Sequence, residues 1–575
     1  MPRPSGSLAL AALLASASAC TPPAPATRRP ARALEPAEAA PRPVVLTIVG
    51  TNDFHGRLRR APLLGGYLRA LRAERARDGA VLLVDAGDLL QGTLASNLSE
   101  GASVIAAFDA LGYQAVALGN HDFDFGPLGP PPSAPGAAPR SALAARIAEA
   151  KFPFLAANLT GAPPGVQASC LVVAAGVRVG LTGGLTRDTP SIVQPEYFAG
   201  LEVTPLAAAI EREGRMLRAV GAELVVALAH AGGECARVDD PRDLSSCAAD
   251  AEVFELARSL PPGLVDVIVA GHTHADVAHF VSGIAIVESG SYARAFSRVD
   301  LTLTGGRLED VRIFPPQQLC PDPEAPTCDA PSYHGVTITP DPAVARSIAP
   351  ALAAQEARRA EPVGARALAP VTGDRRRESA LGNLFADLVR AAAPGADAAL
   401  MNGGALRASL PAGELTYGAF YDAMPFEDVL TTVRLRGATL RAIIARNVTD
   451  DAHGILSLSG VRASARCEGR ELRIELRRAN GALVRDSDEL VVAVSDYLAT
   501  GGDALFTGLE PLEMTRTDEP LREAMLRVLA AHRRPVAPGE LLDAERPRLR
   551  LAAPRPLRCA APPGDGPRDS APGRQ

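Results

Sequence analysis

The sequence predicts an α/β protein built from two layered domains. Short apolar runs without strict polar alternation, such as 44–49 and 224–229, are typical of strands buried on both faces. Helical patterns such as 63–77 and 141–150 lie between these runs, and strand–helix alternation is typical of layered α/β domains. At 575 residues the chain is too long for a single core, so we expect two domains with appendages.

An export signal is predicted over residues 1–20. The apolar stretch 8–14, followed by Ala-Ser-Ala directly before Cys20, is too short to span a membrane and ends like a cleavage site. Cys20 after small residues resembles a bacterial lipobox, in which the cysteine is lipidated; cleavage before Cys20 without lipidation is the alternative. We expect a periplasmic or cell-envelope lipoprotein that contacts the membrane only through Cys20. Residues 21–42, rich in proline and alanine, indicate a flexible tether.

The remaining chain divides into two predicted domains. The first covers 43–335, and a linker helix within 336–362 joins it to the second, which covers 363–552. Proline and glycine are dense over 127–139, which predicts a surface loop insertion. The Pro/Gly-rich composition of 553–575 predicts a disordered tail.

Composition and cysteine content limit the classes of function. The net charge of −6 gives no reason to expect a nucleic acid polymer or an anionic membrane as partner. Of the eight cysteines, removing Cys20 leaves an odd number, so they cannot all pair within the chain. Cys235 with Cys247, and Cys320 with Cys328, are close enough in sequence for local disulfides in an oxidising compartment; free buried thiols are the alternative. None lies in a C-x-x-C, which argues against zinc bound by cysteines and against redox chemistry at the cysteines.

Polar side chains follow five of the predicted strands, where ligands bind in open α/β sheets. Residues two apart in an extended segment point the same way, so the pairs Asp53/His55 and His272/His274 can each reach one ion. The candidate metal ligands are Asp53, His55, Asp88, Asn120, His230, His272 and His274. Seven mixed oxygen and nitrogen ligands exceed the needs of one ion. They suit two divalent ions that share one carboxylate ligand. Such a pair of ions can stabilise both the attacking and the leaving oxygen of an in-line displacement at phosphorus. A single histidine after a strand is more often structural, but five of the nine histidines lie at these strand ends.

The order of these motifs resembles calcineurin-like metallophosphoesterases: Asp-x-His, Gly-Asp, Gly-Asn-His-Asp, a lone His and Gly-His-x-His. The segments T-N-D-F-H-G, G-N-H-D-F-D and G-H-T-H resemble those of the bacterial 5'-nucleotidase / UDP-sugar hydrolase group. This resemblance implies a four-layer α-β-β-α sandwich followed by a second α/β nucleotide-binding domain. It implies an enzyme that releases phosphate from nucleoside 5'-monophosphates, or also cleaves UDP-sugars, and acts as a monomer. The cofactors implied are two divalent metal ions, Mn, Zn, Co or Fe.

The resemblance also assigns roles within the first domain. The first ion would be held by Asp53, His55, Asp88 and His274, and the second by Asp88, Asn120, His230 and His272. His121 would be the catalytic imidazole that donates to the phosphoryl oxygen, and Asp124 would orient it and keep it cationic. Asp122 and the other four histidines are predicted to be structural or at the surface.

In the second domain the resemblance implies a substrate-binding set: Asn402, Gly404, Arg407, Phe426, Tyr497 and Asp503. Asn402 to Arg407 resembles the family's N-G-G-x-R loop with one extra residue, and Arg407 suits bidentate phosphate contact. Phe426 and Tyr497 resemble two aromatics that sandwich the base, and Asp503 would contact ribose hydroxyls or the base edge. Asp428 stands where the family often has Asn.

Three other functions are compatible with parts of the sequence. The same architecture resembles 2',3'-cyclic-nucleotide phosphodiesterase/3'-nucleotidases and the thiosulfohydrolase of sulfur oxidation. The paired aromatics disfavour thiosulfate, a small anion with no ring to stack. A catalytically silent nucleotide-binding lipoprotein is disfavoured by the full set of seven ligands with His121 and Asp124. Because the metal and base sites fall on different domains, we expect closure between them during turnover.

Overall fold

A computed structural model describes residues 42–129, 138–322, 328, 331–426, 428–450, 453–509 and 511–559. The predicted signal with Cys20, the tether up to residue 41 and most of the 127–139 insertion lie outside these residues. Within the described ranges, no helix combines the length and apolar character that a membrane span requires.

The first half of the chain forms two large sheets. The seven-stranded sheet has the order Arg307–Gln318, Ala295–Thr304, Val44–Thr51, Gly79–Asp85, Ala115–Ala117, Phe154–Leu155 and Val166–Gln167. The six-stranded sheet has the order Asp276–Val281, Ile284–Ser289, Val267–Ala270, Leu224–His230, Val177–Leu185 and Ser169–Ala174. The strands that precede the candidate ligands run parallel to one another within each sheet, so their carboxyl ends share one edge.

Three apolar cores separate these layers. Ile48 and Leu82 of the first sheet pack against Val226 and Val269 of the second in a central core. Alternate residues of the same strands face the helices instead, as Val49 does. Both faces of each sheet are therefore covered, which is why the strands read as continuous apolar runs. This arrangement confirms the predicted four-layer α-β-β-α sandwich.

The helices of this half cover the outer faces of the sheets. They are Ala61–Arg75, Leu94–Asn97, Ala102–Leu111, Ser141–Glu149, Thr189–Ile192, Pro195–Phe198, Leu206–Ala219 and Glu252–Ser259. The helix patterns predicted at 63–77 and 141–150 are confirmed within two residues. The strand Val177–Leu185 was not predicted, because three glycines interrupt its apolar pattern. Those glycines allow close approach: a Cβ on Gly183 would lie 2.8 Å from Leu155 Cβ.

A long helix, Pro342–Ala360, leads into the second half of the chain. There a five-stranded sheet has the order Leu456–Ser459, Ala398–Asn402, Glu489–Ser495, Val429–Arg436 and Glu513–Pro520. A three-stranded sheet comprises Glu471–Arg478, Val461–Glu468 and Leu549–Leu551. The helices are Ala380–Ala392, Tyr417–Ala423, Gly437–Thr449, Asp496–Ala499, Leu521–Ala531 and Pro538–Leu541. Small two-stranded pairs are Leu159–Thr160 with Glu202–Val203, Ser332–Tyr333 with Val336–Thr337, and Pro362–Ala367 with Gly413–Thr416. This half confirms a second α/β domain.

Three disulfides join loops and strands of the fold. The predicted pairs Cys235–Cys247 and Cys320–Cys328 are confirmed, and Cys170 is free. A third disulfide links Cys467 to Cys559, across 92 residues of sequence. The prediction of a disordered tail is therefore wrong for residues 553–559. The disulfide and the buried side chain of Leu557 attach this segment to the second domain.

Candidate metal centre and substrate cavity

The seven candidate ligands converge at the shared edge of the two sheets. Two groups have ligand atoms within 4.8 Å of one another: Asp53 with His55 and His274, and Asp88 with His230 and His272. Asp88 connects them, because its Oδ2 lies 3.2 Å from His230 Nε2 and 3.9 Å from His55 Nε2. The seventh residue, Asn120, belongs to the second group, since its Oδ1 lies 3.0 Å from His230 Nε2.

The donor set fits divalent metal ions. Asp53 Oδ1 is buried, makes no hydrogen bond to the described residues, and lies 3.3 Å from His274 Nε2. Nδ1 of His55 lies 3.0 Å from the Gln91 carbonyl oxygen, and Nδ1 of His230 lies 2.9 Å from that of Ala86. These contacts hold each imidazole with Nε2 facing the other ligands, as backbone carbonyls do for metal-binding histidines. Imidazole and carboxylate are suitable ligands for first-row transition ions.

The backbone at this site is strained. Five of the seven candidate ligands have positive φ: 48° at Asp53 and His55, 58° at Asp88, 84° at His272 and 59° at His274. The extended conformation predicted for Asp53 and His55 is wrong. The strand ends at Thr51, and both residues adopt the left-handed conformation instead. Each such residue costs about 1–3 kcal/mol and persists only where the surroundings enforce it, typically at functional sites.

Glycines next to the ligands allow the loops to approach one another. A Cβ on Gly119, which precedes Asn120, would lie 2.1 Å from Asp88 Oδ1. Gly87 has a φ of 100°, and a Cβ there would lie 2.9 Å from His230 Nδ1. The Gly-Asp and Gly-Asn-His motifs therefore have a steric cause, because a side chain at either glycine would force the ligands apart.

Two polar side chains outside the predicted functional set hold the ligand loops. Asp122 is buried and accepts hydrogen bonds from the backbone N–H groups of Asp88, Leu89, Leu90 and Gly119. It thus ties the Gly-Asp loop to the Gly-Asn-His loop, which confirms a structural role. The side chain of Asn52 donates to Asp53 Oδ2 over 2.7 Å and to the Gly290 carbonyl over 2.6 Å. Neither role was visible in the sequence, because each depends on contacts with segments that are distant along the chain.

Burial and close charges determine the protonation of the site. Burial alone would raise the pKa of Asp88, but neighbouring imidazoles, above all His230, hold it well below its usual range. Burial likewise opposes protonation of His230, yet the charge of Asp88 raises the pKa of His230 to about 10. Burial lowers the pKa of His55 to about 4, despite the carboxylates of Asp88 and Asp53. The carboxylates therefore remain ionised and are available to bind cations.

His121 lies beside the ligands and contacts them through its backbone. Its N–H donates to Asp88 Oδ1 over 2.7 Å, while its side chain, 43% exposed, reaches the solvent-facing cavity. Nδ1 lies 2.7 Å from Asp124 Oδ2. Burial would lower the pKa of His121, but the charge and hydrogen bond of Asp124 raise it to about 10. An imidazolium oriented in this way can donate a hydrogen bond from Nε2 to an anion bound over the ligands.

A cavity of about 690 Å³ adjoins the ligand cluster and extends to the second domain. Its walls include His55, His121 and His274 from the first domain, and Arg407 and Phe426 from the second. The Arg407 guanidinium lies 5.0 Å from the centroid of the Phe426 ring. A cavity of this size holds a small ligand. The structure therefore brings two of the predicted substrate residues to the candidate metal centre.

The other predicted substrate residues form a separate group, here called the Tyr497 cluster: Asn402, Tyr497 and Asp503. Asn402 Nδ2 donates to Asp503 Oδ2 over 2.9 Å, and the Tyr497 hydroxyl donates to Asp503 Oδ1 over 2.9 Å. Tyr497 is 47% exposed, and Asp503 has a positive φ of 52°. Gly404 lies beside the cluster, since a Cβ there would be 3.2 Å from Asn402 Nδ2. None of these residues is among the described residues that line the cavity.

Comparison with known proteins gives matches over both halves of the chain. The family model of the calcineurin-like phosphoesterase matches residues 46–276, and that of the 5'-nucleotidase C-terminal domain matches residues 361–510. Endonuclease YhcR of Bacillus subtilis is 26% identical over 83% of this chain, but the chain spans only 40% of that relative's length. Protein UshA of Salmonella pullorum is 26% identical over 83% of this chain and 88% of its own length. A solved 5'-nucleotidase precursor from Thermus thermophilus is 25% identical with a TM-score of 0.57, covering 88% of this chain and 99% of its own.

Proposed function

The chain belongs to the 5'-nucleotidase family of metal-dependent phosphoester hydrolases, and on that premise we propose that it releases phosphate from nucleoside 5'-monophosphates and also cleaves UDP-sugars. The observation that carries this proposal is the single cavity lined by His121 and two candidate ligands together with Arg407 and Phe426. A phosphate over the ligand cluster and a planar base against Phe426 would fill its two ends.

Two divalent ions, Mn, Zn, Co or Fe, are the cofactors of the proposed reaction. Asp53, His55, Asp88 and His274 would hold one ion, and Asp88, Asn120, His230 and His272 the other. When bound, such ions generate a nucleophile from water at neutral pH and neutralise charge on the phosphoryl oxygens. The positive φ of five ligands and the carbonyl contacts of His55 and His230 support a dedicated metal centre.

His121 is the proposed catalytic group of the protein. With Nδ1 bound to Asp124, its Nε2 would donate to a phosphoryl oxygen and stabilise the charge that develops there. Asp124 would fix the tautomer and keep the ring cationic. His121 thus orients the phosphate, whereas the proposed ligands hold the ions.

The second domain would bind the nucleoside part of the substrate. Arg407 and Phe426 line the same cavity as His55 and His274, which supports this role, and Gly404 would give the substrate close access to the backbone. The Tyr497 cluster would supply the second ring of the base sandwich and contacts to the ribose. Because that cluster does not line the present cavity, its contribution requires closure between the domains.

The proposed site of action is outside the cytoplasm. Three disulfides within one chain are typical of oxidising compartments, which supports the signal predicted at 1–20. Lipidation at Cys20 would be the single membrane contact of an otherwise monomeric enzyme. The net charge of −6 supports a small-molecule substrate over a nucleic acid polymer.

A screen of product release tests the proposal. Purified protein with added Mn²⁺ is offered AMP, UDP-glucose, 2',3'-cyclic AMP and thiosulfate, and phosphate, uridine and sulfate are measured. We expect phosphate from AMP and hydrolysis of UDP-glucose. Release confined to the cyclic nucleotide or to thiosulfate would replace the proposal with one of the two alternative hydrolases, and no turnover of any substrate would contradict it.

A further inference from the structure

A buried carboxyl group lies behind the candidate metal centre, on the strand Ile284–Ser289. Glu288 is fully buried and has no part in the proposed reaction. Among the residues that the structure describes, its side chain bonds to a hydroxyl group and to backbone, and not to a cation. An isolated carboxylate is strongly unfavourable in such surroundings and tends to be neutralised. The partners of Glu288 indicate both its protonation state and its role.

Glu288 joins two loops that carry candidate ligands. Its Oε2 accepts a hydrogen bond from the Gly233 N–H over 3.1 Å, and its Oε1 lies 2.8 Å from Thr273 Oγ1. Gly233 lies in the loop that follows the ligand of the fourth candidate junction, here called the His230 loop (231–233). Thr273 lies between two ligands in the Gly-His-Thr-His loop (271–274). One side chain therefore connects both loops from the side away from the strands' solvent edge.

The hydrogen bonds of Thr273 specify the protonation of Glu288. Thr273 Oγ1 lies 2.7 Å from the Gly233 carbonyl oxygen as well as 2.8 Å from Glu288 Oε1. A hydroxyl group has one hydrogen, and a carbonyl oxygen can only accept. The Thr273 hydroxyl therefore donates to Gly233, and the hydrogen of the second bond must come from a protonated Glu288. Burial acts in the same direction, since it raises the pKa of Glu288 to about 8.

The next two residues of the chain extend this support to a third ligand loop. The N–H and the hydroxyl of Ser289 both donate to Asn52 Oδ1, over 2.9 and 3.0 Å. Asn52 in turn donates to Asp53 Oδ2. The Gly290 N–H donates to the Ala275 carbonyl over 2.9 Å, directly after the Gly-His-Thr-His loop. One short segment therefore supports three of the loops that carry candidate ligands.

We propose that Glu288 is a positioning residue of the metal centre, which as a neutral carboxylic acid fastens the His230 loop to the Gly-His-Thr-His loop. A protonated carboxyl group offers one donor and at least one acceptor, so a single side chain can hold both loops. His230 and His272 would bind one ion and His274 the other, so loosening this contact should affect both ions. This inference rests on the proposed function, because it takes these histidines as metal ligands.

Calorimetric titration of Mn²⁺ into the chelator-stripped full chain tests this role. Glu288→Ala is expected to lower the affinity for Mn²⁺ by about 10–100-fold, the usual effect of removing a group that orients metal ligands. Glu288→Gln should bind Mn²⁺ almost as tightly as the wild type, because its amide offers the same donor and acceptor. Equal losses in Glu288→Gln and Glu288→Ala, or no loss in Glu288→Ala, would overturn the role.

Glu213→Ala is the matched control for loss of a buried carboxyl group. Glu213 also accepts a hydrogen bond from a hydroxyl group, that of Ser169 over 2.8 Å, but it lies on the outer helix Leu206–Ala219. This variant should bind Mn²⁺ with the affinity of the wild type. A loss equal to that of Glu288→Ala would assign the effect to general destabilisation and overturn the positioning role.

Two further measurements separate this role from misfolding and from the proposed function. The infrared difference spectrum between the wild type and Glu288→Gln at neutral pH should show the carbonyl stretch of one protonated carboxylic acid, present only in the wild type. Its absence would overturn the neutral form, even if Glu288→Ala does not fold. If the wild type binds Mn²⁺ but hydrolyses no nucleotide, while Glu288→Ala loses affinity, the proposed function fails and the positioning role stands. If the wild type hydrolyses AMP and Glu288→Ala binds Mn²⁺ equally well, the positioning role fails and the function stands.

Discussion

The metal centre and the Tyr497 cluster differ in what holds their side chains in place. At the candidate metal centre, five of the seven proposed ligands stand on strained backbone, and backbone carbonyls, Asn52 and Asp122 fix their loops from outside. In the Tyr497 cluster the polar groups bind one another, and Tyr497 is 47% exposed. Reacting groups must be positioned before the substrate arrives, whereas a stacking platform can be completed by the substrate and by closure. Substitutions at the first site should therefore affect the chemical step, and those at the second should affect substrate binding.

Loss of the shared carboxylate should give the largest effect. Asp88→Ala removes the atom that connects the two ligand groups and leaves His230 without its anionic partner. We expect kcat/KM for AMP to fall by at least about a thousandfold, since each factor of ten corresponds to about 1.4 kcal/mol of lost transition-state stabilisation. Phosphate release measured over a range of Mn²⁺ concentrations checks this. Activity recovered at high Mn²⁺ would show that Asp88 is not required at both ions.

His121→Ala should give the next largest effect. The imidazole lies outside the predicted ligand set, so the variant should retain its metal while kcat falls by about 10²–10⁴. KM should change little, because the lost hydrogen bond strengthens mainly in the transition state. Kinetics paired with metal analysis distinguishes this outcome from metal loss. An unchanged kcat would remove His121 from the mechanism.

Asp124→Asn should shift the pH dependence of the reaction. Asp124 raises the pKa of His121 to about 10, so the cationic donor is present below that value and is lost as pH rises through it. Without the carboxylate the pKa of His121 falls, and the alkaline limb of kcat should move to lower pH. At neutral pH we expect a loss of about tenfold. A pH–rate profile unchanged on its alkaline side would contradict this role for Asp124.

The aromatic residues should give the smallest effects, and these should appear in KM. Phe426→Ala and Tyr497→Ala each remove a stacking surface that is worth about 1–3 kcal/mol, so KM for AMP should rise by roughly tenfold with little change in kcat. Tyr497→Phe, the matched control, keeps the ring and loses only the hydrogen bond to Asp503. Stopped-assay kinetics of the three variants would show whether the ring matters. If Tyr497→Ala leaves KM for AMP unchanged while Phe426→Ala raises it, the Tyr497 cluster takes no part in turnover.

Sequence reasoning was more informative about the metal centre than about its surroundings. All seven candidate ligands stand next to apolar strands, so a polar residue at a strand end was a signal visible along the chain. Asp122 gave no such signal, because its role depends on hydrogen bonds to a loop more than thirty residues away in the sequence. Cys559 was missed for a similar reason: its Pro/Gly-rich neighbourhood indicated disorder, and its partner lies 92 residues away.

The second domain was predicted mainly from resemblance, and in the structure its predicted substrate residues form two separate groups. Arg407 and Phe426 reach the cavity, whereas Asn402, Tyr497 and Asp503 bind one another outside it. A motif indicates which residues share a loop, but it does not specify the relative position of two domains, which depends on contacts between them. Gln194 of the first domain, for example, donates to Asp496 of the second over 2.8 Å, directly beside Tyr497.

Metal stoichiometry tests the central claim most directly. Purified protein is stripped with chelator and dialysed against Mn²⁺, and bound metal is then measured by mass spectrometry. The two ligand groups joined by Asp88 predict two ions per chain in the wild type and at most one in Asp88→Ala. One ion or none bound to the wild-type chain under saturating Mn²⁺ would contradict a dinuclear centre.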